Sequence, residues 1–256
     1  MKKVLLIAIV IVASLNLMNA QGIHFGATAG VNLASVSDLP ATQAGQTAPT
    51  TSMIIGFHAG AVVNIGLNDS WSVEPSLLYF TCGVKQSINY PSTTEVNGIA
   101  TTTTTAYTQS ATDNFSYIQI PIVAKYKLGM GLNFFAGPYF GLLLSGKENY
   151  DGYSYTTTTT VTGFPNLNST TTSTAPSGSY NLDSGSVMSS MDIGLRLGVG
   201  FDLPMGLGFT AGYDMGLTTL FKSQTYGTSP NTYTEPAWGK NGVITISIRY
   251  LFGIGS

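Results

Sequence analysis

Hydrophobic and polar residues alternate strictly along the stretch DIGLRLGVGFDL, residues 192–203. The odd positions carry large apolar side chains, and the even positions carry Asp, Arg or Gly. Because successive side chains of a strand point to opposite faces, this period of two predicts a strand with one apolar and one polar face. In a soluble sheet the apolar face would form the core, whereas in a membrane barrel it would contact lipid.

The same alternation recurs along the chain and predicts eight strands. Their ranges are 22–35, 53–66, 71–85, 115–128, 132–145, 190–203, 207–221 and 242–253. Strands this long exceed the roughly 5–6 residues of globular sheets, but they suit a tilted membrane crossing of about 9–11 residues. The pattern therefore predicts an all-β fold, an eight-stranded antiparallel up-and-down transmembrane β-barrel.

The predicted connections alternate between short and long. The short ones are LNDS, GMG and PMG, and the long loops are 36–52, 86–114, 146–189 and 222–241. Outer-membrane barrels have short turns on the periplasmic side and long loops outside the cell. We therefore expect four extracellular loops, with both chain termini in the periplasm.

The long loops are rich in threonine, with TTTTT at 101–105 and again at 156–160. Such tracts supply no apolar side chains for a core, so we expect solvated, mobile spacers. An adhesive or glycosylated role is the alternative.

Aromatic residues on the apolar faces cluster at one height. Counted from the short turns, six lie about three residues above the rim and two just below it, as in an interfacial girdle. The predicted periplasmic-side girdle consists of Phe25, Trp71, Tyr126, Phe134, Phe201, Phe209, Tyr250 and Phe252.

Eight charged residues fall on the polar faces and are predicted to line the lumen. They are Glu74, Lys125, Lys127, Asp192, Arg196, Asp202, Asp214 and Arg249. A turn centred on Met205 would place Arg196 opposite Asp214, and the same height count puts Glu74 level with Lys125. Eight strands leave an interior that side chains just fill, so we expect a plugged lumen held by salt bridges. A gated polar path or a ligand site is the alternative.

The N-terminal residues 1–20 have two lysines, an apolar run and a small residue at the end, which is typical of a secretory signal peptide. Residues 21–256 then form the barrel domain. Only 9% of the residues are charged, compared with about 25% in ordinary soluble domains. The net charge of -2 gives no basic surface for nucleic acid.

Catalytic, metal and cofactor sites are not indicated. The chain has two histidines. His24 lies near the short-turn rim, and His58 would face inward opposite Leu78 if the LNDS turn is centred on Asn68. Neither has an evident serine and carboxylate at its level, as a hydrolase triad requires. We expect no enzyme activity and no cofactor.

Several segments together resemble the outer membrane protein β-barrel domain family of Bacteroidota, the PorT-like or porin family group. The segments are VEPSLLYFTCGVK (73–85), YIQIPIVAKYKL (117–128), FFAGPYFGLLLSGK (134–147), DIGLRLGVGFDL (192–203), YDMGLTTL (213–220) and ISIRYLF (246–252). This resemblance implies an outer-membrane location, reached by export across the inner membrane and removal of the signal peptide. It also implies insertion by the barrel assembly machinery, for which ISIRYLF resembles the usual terminal signal.

The expected role is that of a structural or interaction protein in outer-membrane lipid, with extracellular ligands or secretion components binding through the loops. One alternative is a small porin-like channel for ions or solutes. Another is a PorT-like accessory to type IX secretion, which the resemblance suggests.

Overall fold

A computed structural model describes residues 22–39, 50–96, 101–152, 154–161, 168–182, 187–228 and 231–252. The predicted signal peptide, residues 1–20, lies outside the described residues. The described residues form thirteen strands. They are β1 (Ile23–Ser37), β2 (Thr50–Gly66), β3 (Trp71–Val96), β4 (Thr101–Gly129), β5 (Leu132–Tyr150), β6 (Ser154–Val161), β7 (Ser169–Thr174), β8 (Gly178–Asn181), β9 (Met191–Asp202), β10 (Leu207–Gly216), β11 (Gln224–Thr228), β12 (Asn231–Glu235) and β13 (Lys240–Leu251).

Eight strands form a closed antiparallel ring, in the order β1, β2, β3, β4, β5, β9, β10 and β13. The ring closes where β13 pairs with β1, from Gly26 opposite Leu251 to Ser37 opposite Lys240. A closed ring pairs every strand edge, which hydrocarbon requires because it offers no other hydrogen-bond partner. The prediction of an eight-stranded antiparallel up-and-down transmembrane β-barrel is confirmed.

The apolar faces of the ring strands point outward. On β9, Leu195, Leu197 and Val199 are between 41% and 49% exposed, while Asp192 is 4% exposed. Across the ring the outward positions carry Ile, Leu, Val, Phe and Tyr, and the polar positions turn inward. The strand 192–203 therefore presents its apolar face to lipid and its charges to the lumen.

The LNDS turn sets the register between β2 and β3. The Oδ1 of Asn68 accepts hydrogen bonds from the backbone amides of Ser70 (3.0 Å) and Trp71 (2.8 Å). With this cap the strands pair around Asp69, so His58 lies opposite Phe80 and the predicted partner Leu78 is wrong. The shift is two residues, and an even shift leaves every side chain on its predicted face.

The predicted loop 86–114 is largely strand, which corrects the loop boundaries. β3 continues to Val96, and β4 begins at Thr101 and pairs with β3 along this whole extension. β5 likewise continues to Tyr150, and the remaining part of 146–189 contains β6, β7 and β8. Segment 222–241 contains the β11–β12 hairpin. Of loop 36–52, residues 40–49 lie outside the described residues.

The threonine tracts pair with each other, contrary to the expectation of mobile spacers. Thr102 lies opposite Thr160 and Thr105 opposite Thr157, with β7 added beyond β6. Threonine is β-branched and favours extended backbone, and cross-strand hydroxyl pairs stabilise a sheet without any core. The hydroxyls of Thr156 and Thr172 lie 3.2 Å apart. The ends of β3 and β4 away from the short turns, together with β6 and β7, therefore form a sheet extension beyond the ring.

The mouth of the barrel opposite the short turns is closed by apolar side chains. Residues from the connections, here named the mouth plug, pack on inward residues of the ring strands; the plug is Leu182, Met188, Leu220 and Phe221. Phe221 forms isolated β-bridges with Met188 and Trp238, and its ring stacks on Trp238 with centroids 4.0 Å apart. The connections thus fold into the mouth rather than away from it.

Replacing Leu220 by Ala should lower the free energy of unfolding by about 2–5 kcal/mol, because Leu220 is 1% exposed and its loss leaves a cavity in the plug. Urea unfolding of the refolded barrel in lipid measures this change. The matched variant is Leu217→Ala, at a residue that is 52% exposed, and it should lose less. Equal losses in the two variants would contradict a packed plug.

Candidate functional site

The lumen contains seven of the eight predicted charges, arranged at three levels. The eighth, Lys127, is exposed at the short-turn rim and lines the vestibule there. The register brings the other seven together from β3, β4, β9, β10 and β13, because each strand contributes its inward positions only.

Levels are counted upward from the short turns. The lowest level is a cluster of two cations and two carboxylates. Arg249 donates through Nη1 to Glu74 Oε2 and through Nη2 to Asp202 Oδ1. Lys125 Nζ lies 3.0 Å from Asp202 Oδ2 and 3.5 Å from Glu74 Oε2, although it makes no hydrogen bond of good geometry. Lys125 lies opposite Ser72. Its contact with Glu74 is therefore diagonal, and the prediction that these two residues lie at the same level is wrong. The four charges neutralise one another inside the barrel.

The middle level is the bidentate pair predicted from the PMG turn. Arg196 lies opposite Asp214 and donates through Nε to Oδ1 and through Nη2 to Oδ2, both at 2.6 Å. Gln119 joins both partners: its Oε1 accepts from Arg196 Nη2 at 2.8 Å, and its Nε2 donates to Asp214 Oδ2 at 3.1 Å. Two parallel hydrogen bonds make this the strongest type of ion pair in proteins.

The upper level contains a carboxylate held by neutral donors. Asp192 accepts hydrogen bonds from Asn241 Nδ2 at 2.8 Å and from the hydroxyls of Tyr139 and Thr218, both at 3.2 Å. Within the described part of the chain, no ion pair to Asp192 is present. These donors satisfy the carboxylate just below the mouth plug.

Sequence reasoning missed the partners of His58. His58 Nδ1 lies 2.6 Å from Asn32 Oδ1, and His58 Nε2 lies 2.8 Å from Ser247 Oγ. Asn32 Nδ2 donates to the carbonyl of Thr81, so its Oδ1 is the acceptor and Nδ1 of the imidazole carries the proton. Nε2 is then free to accept from the Ser247 hydroxyl. The structure therefore places a serine at the level of His58, but the third group is the amide of Asn32 rather than the carboxylate of a hydrolase triad.

A glycine makes the contact between His58 and Ser247 possible. Gly30 on β1 lies between them, opposite His58 on one side and Ser247 on the other. A Cβ at Gly30 would lie 2.6 Å from His58 Cε1 and 2.8 Å from Nε2, so any side chain here would displace the imidazole. Gly30 is the only signal in the sequence for the contact between His58 and Ser247. The signal can be used only if the pairing of the first and last strands is known.

Ser247, His58 and Asn32 follow one another in the order hydroxyl, imidazole and amide, which resembles the serine, histidine and third group of nucleophilic serine sites. The space beside Ser247 is a cavity of about 50 Å³, which holds only a water or two. Arg196 and Arg249 line the same cavity. The geometry suits a satisfied buried histidine better than a substrate site.

A larger space opens at the short-turn rim. This vestibule has a volume of about 680 Å³ and is lined by the three short turns together with His24, Lys127, Asp202 and Arg249. Its volume is within the range of small-molecule sites. Arg249 lies between it and the cavity beside Ser247, so the lowest charge cluster separates the two spaces.

The predicted girdle residues are all outward and exposed on the ring. Neighbouring strands bring them into contact, since Phe201 lies opposite Phe209 and Tyr126 lies opposite both Trp71 and Phe134. The rings of Trp71 and Tyr126 are 4.9 Å apart. Aromatic rings therefore line up along the short-turn end of the apolar surface, as an interfacial girdle would.

Two features are absent from the described residues. No group of three or more His, Cys, Asp and Glu side chains is placed to hold a metal ion. In the same part of the chain, no helix has the length and apolar character to cross a membrane.

Comparison with known proteins identifies a family. A family model described as outer membrane protein beta-barrel domain matches residues 19–222. Among solved structures, the chain is similar to Ail, the attachment invasion locus protein of Yersinia pestis, at 10% identity and a TM-score of 0.35, over 90% of this chain and 98% of that one. It is also similar to Neisserial surface protein A, at 13% identity and a TM-score of 0.28, over 90% and 96%. No curated protein matches.

Replacing Arg196 by Ala should destabilise the barrel by about 3–5 kcal/mol, because Asp214 would remain buried without its cation. Unfolding midpoints in urea measure the loss. The control is Lys240→Ala, which removes a surface pair with Asp38 at 2.7 Å and should change stability by no more than about 1 kcal/mol. Equal midpoints for Arg196→Ala and wild type would exclude a stabilising pair.

Replacing Gly30 by Ala should destabilise the barrel by about 1–3 kcal/mol, because the added methyl group overlaps the backbone carbonyl oxygen of Ile246 and the His58 ring. Gly66→Ala is the matched variant, since the nearest atom to its Cβ is a carbonyl oxygen at 3.4 Å. Chemical denaturation of both variants tests the difference. If Gly30→Ala is as stable as Gly66→Ala, the close approach of His58 to β1 is not present in solution.

Proposed function

The chain belongs to the outer membrane protein beta-barrel domain family, and we propose that it is a closed, non-enzymatic barrel with a structural or interaction role at the cell surface. Membership places the protein in the outer membrane. The proposal adds that the lumen does not conduct and that the parts outside the membrane make the functional contacts.

The observation that carries the proposal is the filling of the lumen at two heights. At the extracellular end the mouth plug packs on inward residues of the strands. Toward the periplasm the Glu74, Lys125, Asp202 and Arg249 cluster occupies the centre. A cavity of about 50 Å³ lies beside Ser247 between these levels. A conducting path would have to displace both an apolar plug and four paired charges.

The sheet extension supports an outward-directed role. β3, β4, β6 and β7 form a continuous sheet that extends beyond the membrane-spanning strands. A sheet of this size is unnecessary for crossing the bilayer, since about 9–11 residues per strand suffice. Its outer strand, β7, exposes serine and threonine residues that extracellular ligands or secretion components could contact.

The non-enzymatic part of the proposal is supported by the confinement of the His58 and Ser247 pair. The cavity beside Ser247 has no room for an acyl substrate, and cations and carboxylates close its lower side. We also propose export through an N-terminal signal peptide, so that the mature chain begins at Gln21. The intact mass of protein purified from outer membranes checks this start.

Affiliation with the PorT-like group of Bacteroidota is likewise proposed, on the resemblance of the strand segments. This affiliation suggests a second candidate role, that of an accessory protein in type IX secretion. Normal cargo release in a deletion strain would count against that role. Insertion by the barrel assembly machinery is proposed from the terminal segment ISIRYLF.

Planar-bilayer recording tests the closed lumen. Refolded mature protein, with heat-modifiable gel mobility as proof of folding, should give no discrete current steps. A variant that combines Met188→Ala and Phe221→Ala in the mouth plug with Arg249→Ala in the lowest charge cluster should leak, because it opens both obstructions. Leu217→Ala is the matched control outside the plug and should remain silent. Discrete steps from folded wild type would overturn the proposal and favour a small channel.

A further inference from the structure

Two acidic residues face each other on the inner side of the barrel wall, above the apolar outer surface. Asp113 on β4 lies directly opposite Glu148 on β5. The outward apolar residues end at Ile118 and Leu144, and the next exposed outward positions are polar, Asn114 and Lys147. The acidic pair therefore lies on the extracellular side of the membrane-spanning segments.

Asp113 is almost completely buried and has an unsatisfied oxygen. It is 1% exposed, and its Oδ2 accepts a hydrogen bond from Gln86 Nε2 at 2.9 Å. Its Oδ1 has no hydrogen-bond donor among the described residues. Buried oxygens of this kind are rare, since most buried polar atoms have a partner. Oδ1 can therefore serve as a ligand for a cation.

Glu148 is tied to a strand outside the ring. Its Oε2 accepts a hydrogen bond of 2.5 Å from the hydroxyl of Tyr180, which lies on β8. Burial and the Glu148 carboxylate raise the pKa of Tyr180, so the phenol keeps its proton. β8 is held to β5 by only four residue pairs, from Lys147 to Tyr150. The charge of the acidic pair therefore affects how strongly β8 is held against β5.

No cation from the protein neutralises the pair within the described residues. Lys85 and Lys147 lie on neighbouring levels, but both are exposed and alternate with inward residues, so they point to the opposite face. Like charges directly opposite each other destabilise a sheet. Burial first, and the Glu148 charge second, raise the pKa of Asp113 from 3.8 to about 7.

We propose that Asp113 and Glu148 form a divalent-cation site on the extracellular side of the barrel, best suited to Ca²⁺, with the amide oxygen of Gln86 as a third ligand. Hard cations take carboxylate and amide oxygens and complete their shell with water. The Gln86 amide rotates by half a turn to present Oε1 instead of Nε2, which exchanges a donor for an acceptor without moving the chain. The cation then links β3, β4 and β5, and through Tyr180 it secures β8.

The aromatic groups at the site provide its own optical probe. Tyr180 contacts Glu148 directly, and the ring of Tyr150 lies 6.2 Å from that of Tyr180. Terbium(III) takes the same oxygen ligands as Ca²⁺ and emits when a nearby tyrosine is excited. Refolded wild type should show sensitised terbium emission that Ca²⁺ displaces, with half-displacement at a free Ca²⁺ concentration on the order of 0.1–1 mM, as in extracellular Ca²⁺ modules.

The variants separate this site from general surface charge. Asp113→Asn and Glu148→Gln should each weaken terbium and Ca²⁺ binding by more than about tenfold, because each removes one of the two carboxylates. Asp151→Asn is the matched control, an exposed acid three residues beyond Glu148, and it should bind as wild type does. Both neutral variants remove repulsion and should fold, which heat-modifiable mobility verifies. Equal emission from Asp113→Asn and Asp151→Asn would overturn the proposal.

Thermal stability at a fixed pH of about 8 provides a second readout. Ca²⁺ should raise the melting temperature of wild type but not of Asp113→Asn, because a cation that binds only the folded barrel stabilises it. A wild-type melting temperature that does not respond to Ca²⁺ would overturn the proposal.

Discussion

Lipid offers no hydrogen-bond partner to backbone amides and carbonyls, and the rest of the molecule depends on this constraint. The pairing of β1 with β13 removes the last open edge of the sheet. Once the ring is closed, each strand must send its apolar residues outward and its polar residues inward. The charged residues of these strands can therefore be placed only in the lumen, where they lie beside buried apolar residues such as Leu78 and Phe80.

A ring of eight strands leaves space for side chains but little else. Charges placed in that space need partners, and the three levels show three solutions. Glu74, Lys125, Asp202 and Arg249 neutralise one another as a group, Arg196 and Asp214 form a two-pronged pair, and Asp192 relies on neutral donors. Asp113, above these levels, has one neutral donor, Gln86, and its other oxygen has no partner within the described residues, which sets it apart from the luminal acids.

Local patterns in the sequence predicted the ring but not the contacts across it. Period-two alternation identified all eight ring strands. The PMG turn is centred on Met205, as predicted, so the pairing of Arg196 with Asp214 was also predicted correctly. The LNDS turn was misplaced because the Asn68 cap is a side-chain effect that spacing does not reveal. The threonine tracts were assigned to loops because they lack core residues, although β-branched side chains favour strands. Ser247 and His58 meet only through ring closure.

Closure of the ring also constrains the order of events in assembly. Thr28 donates to the carbonyl of Ile248, a contact that spans 220 residues, and Arg249 reaches Glu74 across 175 residues. Contacts so distant in sequence form late and slow the folding rate. The paired charges of the lumen therefore lose their water only after the C-terminal strand has joined the ring. Until that moment the chain must be kept from aggregating as an open sheet with two free edges.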